Sequence, residues 1–346
     1  MAQRTRCLSG MRPTGQLHLG HLVGALENWK RLQDEYDCFF MVADWHALMS
    51  EYEHPERIRE SVTDNVLDWL ACGVDPKRSV IFRQSDVPEH IELYTILSIL
   101  TPLGWVERVP TYKEQLRELE GRELATHGFL GYPVLQAADI LLYRAHVVPV
   151  GEDQLPHLEL TREIARRFHF LYKRELFPEP QALLTQASKL SGTDGRKMSK
   201  SYGNTITLSE SPERLRTIVQ SMFTDPARIK RMDPGHPQTC NVCGYWKVFE
   251  PTRAAQLWEE CRTATRGCVQ NKQELAEALI AVTEPFRAIR RRLGGSAAPE
   301  VDSILRDGAT RARDVARQTM AEVKPLVGLA GGLMRPSAGK KNGHTG

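Results

Sequence analysis

The sequence predicts an α/β protein, a doubly wound parallel sheet followed by an α-helical domain. Three patterns predict it. Short apolar runs of strand character alternate with segments of helical period as far as residue 205, as in a parallel sheet covered on both faces. CFFMVAD at 38–44 is apolar without a break until its Asp, as a strand buried on both faces must be. Beyond Asn204 no strand alternation survives and helical periodicity takes over.

Each element follows from local pattern. A strand near Arg6 to Ser9 runs into a Pro13/Gly15 loop, after which Leu19, Leu22, Val23, Leu26 and Trp29 recur at helical spacing. The 38–44 run is the second strand. A helix starts at about Pro55, whose missing N–H costs nothing in a first turn, and carries Ile58, Val62, Val66 and Leu70 on one stripe. SVIFRQS at 79–85 and HVVPV at 146–150 are further strands between helical segments. Ligands of such sheets sit beyond the carboxyl ends of the strands, where PTGQLHLGH (13–21), DWH (44–46) and GEDQ (151–154) all fall. ELAEALIAVTEPFRAIRRRL at 274–293 is the clearest helix of the second half. The chain thus divides into a sheet domain, 1–205, and a helical domain, 206–330. GGLMRPSAGKKNGHTG, 331–346, lacks periodicity and reads as a disordered tail.

With 346 residues, 41% of them hydrophobic and 26% charged, the composition is that of a globular protein. No secretory signal stands at the start, and no apolar run approaches the roughly eighteen residues of a membrane span. A cytoplasmic enzyme is therefore expected. Its charge is uneven. Residues 1–205 carry 24 Lys and Arg against 28 Asp and Glu, a balance of −4, whereas residues 206–346 carry 22 against 15, a balance of +7. A cationic second half suits either a large anion such as a nucleic acid or simply a solvated Arg-rich surface.

Two motifs carry chemistry. In PTGQLHLGH, Gly15 permits a tight turn after the strand, and Gly20 removes a Cβ where a purine or phosphate could approach the backbone. The helix N-terminus offers N–H groups to an anion, and His18 and His21, three apart, can donate to one phosphate chain. Such a pair could equally cap the turn or catch a metal. In GTDGRKMSKSYGN, glycines bracket Lys197 and Lys200, so two ammonium groups can swing onto a pyrophosphate as charge develops there. Together the motifs point to activation of a carboxylic acid with ATP.

The pair HLGH and KMSKS resembles the hallmark motifs of the class I aminoacyl-tRNA synthetases. GYPVLQAADILLY at 131–143 and PVGEDQLPHLELTREIARRF at 149–168 resemble the tryptophanyl branch, and the likeness extends from about Leu8 to Leu329. The resemblance implies a Rossmann-like catalytic domain, a helical anticodon-binding domain, a homodimer, and L-tryptophan, ATP with Mg²⁺ and tRNA(Trp) as partners. It implies ATP contacts from Arg12, Thr14, Gly15, His18, Gly20, His21 and Asp153, and from Lys197, Met198, Ser199, Lys200 and Ser201 of a mobile loop. His18, His21, Lys197 and Lys200 would carry catalysis. Leu8, His46, Tyr132, Gln136, Asp139 and Gln154 would line the tryptophan pocket, with Asp139 accepting the indole N–H. That last role also stands on chemistry: an indole presents one donor and no acceptor, and Phe would leave a buried carboxylate unpaired. The neighbours Ala137, Ala138, Ile140, Leu141 and Leu142 place Asp139 on a buried helix.

Three features depart from the family pattern. Arg12 stands where many relatives have Gln, which adds a cation near the phosphates. His21 keeps a histidine where many end the motif in Asn. The third departure concerns cysteine. Cys7, Cys38 and Cys72 are isolated, but Cys240, Cys243, Cys261 and Cys268 crowd together, which in a cytosolic chain favours metal over disulfides. Some tryptophanyl enzymes hold a [4Fe–4S] cluster here. Asn271 replaces their last cysteine, and Cys243 supplies a different fourth thiol, so the set suits a cluster or Zn²⁺. A tyrosyl-type enzyme or an RNA-binding paralogue are the alternatives, the latter at odds with intact motifs.

Overall fold

The computed structural model describes residues 4–110, 126–184, 190–294 and 298–329. The 331–346 segment and the side chain of Ser201 lie outside the described residues. The strands are β1 (Arg6–Met11), β2 (Asp37–Val42), β3 (Val80–Arg83), β4 (Val147–Val150) and β5 (Gln181–Leu184). They pair in parallel in the order β3-β2-β1-β4-β5. The winding reverses between β1 and β4, which opens a crevice at their carboxyl ends.

Period-two alternation puts a core on each face of the sheet. Cys7, Cys38, Phe40 and Ile81 point to one side, where Trp29 stacks on Phe40 at 4.5 Å and meets the edge of Trp69 at 5.0 Å. Leu8, Phe39, Met41, Val80 and Phe82 point to the other, against Leu93, Leu97, Leu141, Ile164 and Phe168 of three helices, Glu89–Leu100, Tyr132–Leu142 and Leu155–Tyr172. After β1 the helix does not run evenly: Leu19–His21 is α-helical, Leu22–Leu26 forms a wide π turn, and Glu27–Glu35 is α-helical again.

Among the described residues everything after β5 is helix or loop, with the main helices at Pro212–Ser221, Asn241–Phe249, Pro251–Arg262, Cys268–Leu293 and Pro299–Leu326. This half is not apart from the sheet along its whole length. The last helix returns to lie on β3, where Gly308 is so close that a Cβ there would sit 1.7 Å from the Ile81 carbonyl oxygen. Arg311 donates to the carbonyls of Pro76 and Ser79. A second brace joins the halves: Arg290 donates to Asp64 at 2.7 Å and to Asp68 at 3.1 Å, both on the helix Pro55–Cys72. Among the described residues no helix is long and apolar enough to cross a membrane.

Candidate active site

Folding brings the two distant motifs together. The Leu17–Leu19 segment pairs with Ile206–Leu208, through Leu19 N–H to the Ile206 carbonyl at 3.0 Å and Leu208 N–H to the Leu17 carbonyl at 2.9 Å. Lys200 Nζ then donates to the Thr14 carbonyl at 3.0 Å, and Met198 packs over Gly20. Gly15 takes φ +101°, a left-handed conformation that glycine alone adopts cheaply. Its turn is held from below: Gly15 N–H donates to Ser61 Oγ at 2.8 Å, and Asn65 Nδ2 donates to the Gly15 carbonyl at 3.2 Å.

His21 Nδ1 accepts the His18 N–H at 3.2 Å, so one of the two histidines does cap the turn. Their rings lie 3.8 Å apart. Burial, and after it the nearby Lys200, lower the His18 pKa to about 4 and hold His21 well below its ordinary value. Both are therefore neutral at pH 7, not cations. The space over Gly20, expected to admit a ligand, holds the His18 ring, 3.0 Å from where a Cβ would be.

The lysine loop is shaped by a residue that the motif reading passed over. Asn204, 2% exposed, donates to Asp194 at 2.8 Å and to the Lys197 carbonyl at 3.1 Å, and accepts the Ser199 N–H at 2.8 Å. Gly195 completes the bend at φ +84°. Lys200 as a whole is exposed, but partial desolvation of its ammonium among the packed loops, then the Arg12 charge, lower its pKa to about 8. Its charge is therefore largely present at pH 7 and lost as pH rises through about 8. The alkaline limb of kcat/KM for ATP, which reports the free enzyme, is expected near pH 8. Arg12→Gln should move that limb upward by removing one cation, and a limb that stays in place would show that Arg12 does not act on Lys200.

Beside these loops, at the ends of β1, β2 and β4, lies a cavity of about 380 Å³. Leu8, His46, Tyr132, Gln136, Asp139 and Gln154, the six residues expected around the amino acid, all line it, and Arg12 lies on its wall. Asp153 does not. It is exposed and accepts from Gln154 at 3.2 Å. Ser9, Met41, Met49, Phe129, Ile140 and Val150 also line the cavity and had no sequence signal beyond being apolar or small.

Asp139, 2% exposed, is the buried carboxylate on this wall. It accepts from His46 Nε2 at 2.7 Å, Gln84 Nε2 at 2.8 Å and His90 Nδ1 at 2.6 Å. Burial alone would raise its pKa, but the bonds from His46 and His90 outweigh it and keep the carboxyl below its ordinary value. An ionised acceptor thus faces an apolar chamber. Tyr132 stands 3.4 Å from His157, whose pKa burial lowers to about 4.

The four clustered cysteines do not line the cavity. Cys240 caps the helix Asn241–Phe249, and Cys243 shares thiol hydrogen bonds with Cys240 and Cys261. Arg228 approaches Cys261 at 3.9 Å and Cys268 at 3.7 Å. Asn271 is occupied by Trp246, whose Nε1 donates to it at 2.8 Å. As a donor set the four thiols suit a soft metal, but among the described residues no three His, Cys, Asp or Glu side chains are disposed to hold one ion.

The chain matches the family described as tRNA synthetases class I (W and Y) over residues 1–284. A tryptophan–tRNA ligase of Thermotoga maritima is 52% identical to it, over 94% of this chain and 99% of that protein. One of Ralstonia nicotianae is 44% identical, over 94% and 98%. Among solved structures, tryptophanyl-tRNA synthetase from Campylobacter jejuni, complexed with ADP and tryptophan, superposes with a TM-score of 0.83 at 34% identity, covering 94% of this chain and 100% of that one.

Proposed function

The chain belongs to the class I tRNA synthetases of the tryptophan and tyrosine group, and on that premise we propose how its site works. It is a tryptophan–tRNA ligase: it joins tryptophan to ATP as tryptophanyl-adenylate, releasing pyrophosphate, and passes the tryptophan to the 3′-terminal adenosine of tRNA(Trp). The observation that carries the proposed mechanism is the contact between the motifs, Lys200 on the Thr14 carbonyl, beside a cavity with one buried carboxylate.

The indole enters the apolar chamber with its N–H on Asp139, while Tyr132, Gln136 and Gln154 hold the ammonium and carboxylate. The carboxylate then attacks the α-phosphorus of Mg-ATP in line. No strong base is needed, because the nucleophile is already ionised; positioning and charge do the rest. His18 and His21 meet the phosphates as neutral imidazoles, beside the turn that Thr14 and Gly15 form and the first helical turn that carries Gly20. Lys197 and Lys200, with Met198, Ser199 and Ser201, follow the departing pyrophosphate. In the second step the terminal 2′-OH, by class I resemblance, attacks the carbonyl of the adenylate and takes the aminoacyl group, and AMP leaves as the anhydride bond breaks. The basic helical half receives the tRNA. We place the enzyme in the cytoplasm as a homodimer. The full chain incubated with labelled tryptophan, ATP and tRNA(Trp) is expected to give ATP-dependent charging; tRNA binding without charging would favour the RNA-binding paralogue.

We also assign a metal to Cys240, Cys243, Cys261 and Cys268, a [4Fe–4S] cluster ahead of Zn²⁺. Support comes from the clustering of Cys240, Cys243 and Cys261 and from the cationic Arg228 beside Cys261 and Cys268; binding would require the thiols to exchange their present hydrogen bonds for metal. Protein purified without oxygen should contain about four irons, or one zinc, per chain. Elemental analysis that finds neither metal overturns the assignment.

A further inference from the structure

A carboxylate offers about four acceptor positions, two on each oxygen. The protein fills three of those on Asp139. Oδ1 accepts from both Gln84 Nε2 and His90 Nδ1, and Oδ2 accepts from His46 Nε2. Gln84 and His90 are wholly buried and do not reach the cavity, whereas His46 and Asp139 line it. The position left over is therefore on Oδ2, on the cavity side.

The donors behind Asp139 are themselves fixed. His90 must carry its proton on Nδ1 to donate to Oδ1, so Nε2 is an acceptor, and the wholly buried Tyr143 hydroxyl donates to it at 2.7 Å. Tyr143 in turn stacks on Phe39 at 4.9 Å and meets the edge of Phe82 at 5.4 Å. The Gln84 amide turns its NH₂ to the carboxylate although its own Oε1 is then buried without a partner among the described residues. The flipped amide would set Oε1 against a carboxylate oxygen, so the charge of Asp139 fixes the amide orientation even at the cost of an unpaired acceptor.

We propose that Gln84, His90 and Tyr143 are positioning residues for substrate selectivity: Gln84 and His90 occupy both acceptor positions of Oδ1, Tyr143 fixes His90, and Asp139 is left one opening for a single N–H. This inference rests on the reading of Asp139 as the indole acceptor. A second donor on the side chain has no acceptor position to meet, and a side chain with no donor leaves Oδ2 short of one. None of the three touches the substrate, so their loss should change which amino acid is preferred more than how well ATP is used.

The test compares tryptophan with β-(benzothiophen-3-yl)alanine, in which sulfur replaces the indole N–H, in amino-acid-dependent ATP–pyrophosphate exchange by the full chain. In His90→Leu, kcat/KM for tryptophan should fall about tenfold, the worth of one good hydrogen bond, while that for the sulfur analogue changes little. The ratio between the two narrows accordingly, and the KM for ATP stays put. His90→Asn, whose Nδ2 can stand in for Nδ1–H, should restore most of the ratio. Tyr143→Phe keeps the ring and removes only the hydroxyl, so it should narrow the ratio to a smaller extent even if His90→Leu fails to fold. Equal losses for both amino acids, or a ratio untouched by Tyr143→Phe, would overturn the proposal. A ratio near one in the unaltered chain would instead overturn the role of Asp139 itself, so the two failures are separable.

Discussion

Lys200→Ala is expected to lower the kcat of tryptophan-dependent ATP–pyrophosphate exchange by about two to three orders of magnitude, the usual cost of removing one preorganised charge from a developing anion. The tryptophan KM should change little, because the lysine lies at the phosphate end, against Thr14 and Gly15, and not in the amino-acid cavity. A loss confined to kcat identifies an interaction made chiefly in the transition state. The ammonium is well placed for this. Partial desolvation and Arg12 already destabilise its charge, which a polyphosphate relieves on arrival. Steady-state exchange checks the expectation, and an unchanged kcat would remove Lys200 from the mechanism.

Asp139→Ala should act at the other end. We expect kcat/KM for tryptophan to fall by about two to three orders of magnitude, with the KM for ATP nearly unaltered, as a missing buried acceptor leaves the indole N–H unpaired. The same change strands three inward-pointing donors, His46, Gln84 and His90, around an empty space. Asp139→Asn should fare little better, since an amide has only one acceptor oxygen and its NH₂ would confront those donors. Initial rates with each substrate varied in turn provide the check; equal losses for tryptophan and ATP would argue for collapse of the pocket.

Much of the sheet was legible because its strands are buried on both faces. The run at 38–44 and the short runs near Val80 and Val147 have no polar alternation to mislead. β5 was not legible. Gln181–Leu184 is an edge strand whose residues are all exposed or half-exposed, and the three apolar residues of QALL are too short a run to mark a strand. The π turn at Leu22–Leu26 hid inside a pattern that a regular helix also fits, since one wide turn shifts the stripe by a single residue. The return of the last helix to β3 could not be read either. Its amphipathic pattern shows that one face is buried, but not against what, and the deciding contact is a glycine on a backbone carbonyl.

The site divides in the same way. The six residues expected around the amino acid all line one cavity, and the residues proposed to meet phosphate sit in the two motifs. Residues that hold those in place were silent. Gln84 and His90 lie outside every motif, and Asn204 acts through backbone groups that sequence does not display. The space over Gly20 depends on a neighbouring ring, which spacing alone does not predict.

The central claim is that one folded site joins ATP to tryptophan. Amino-acid-dependent exchange of labelled pyrophosphate into ATP by the full chain, with tryptophan and tyrosine compared side by side, tests it most directly. The account predicts rapid exchange with tryptophan and little with tyrosine; no exchange with tryptophan, or faster exchange with tyrosine, would contradict it.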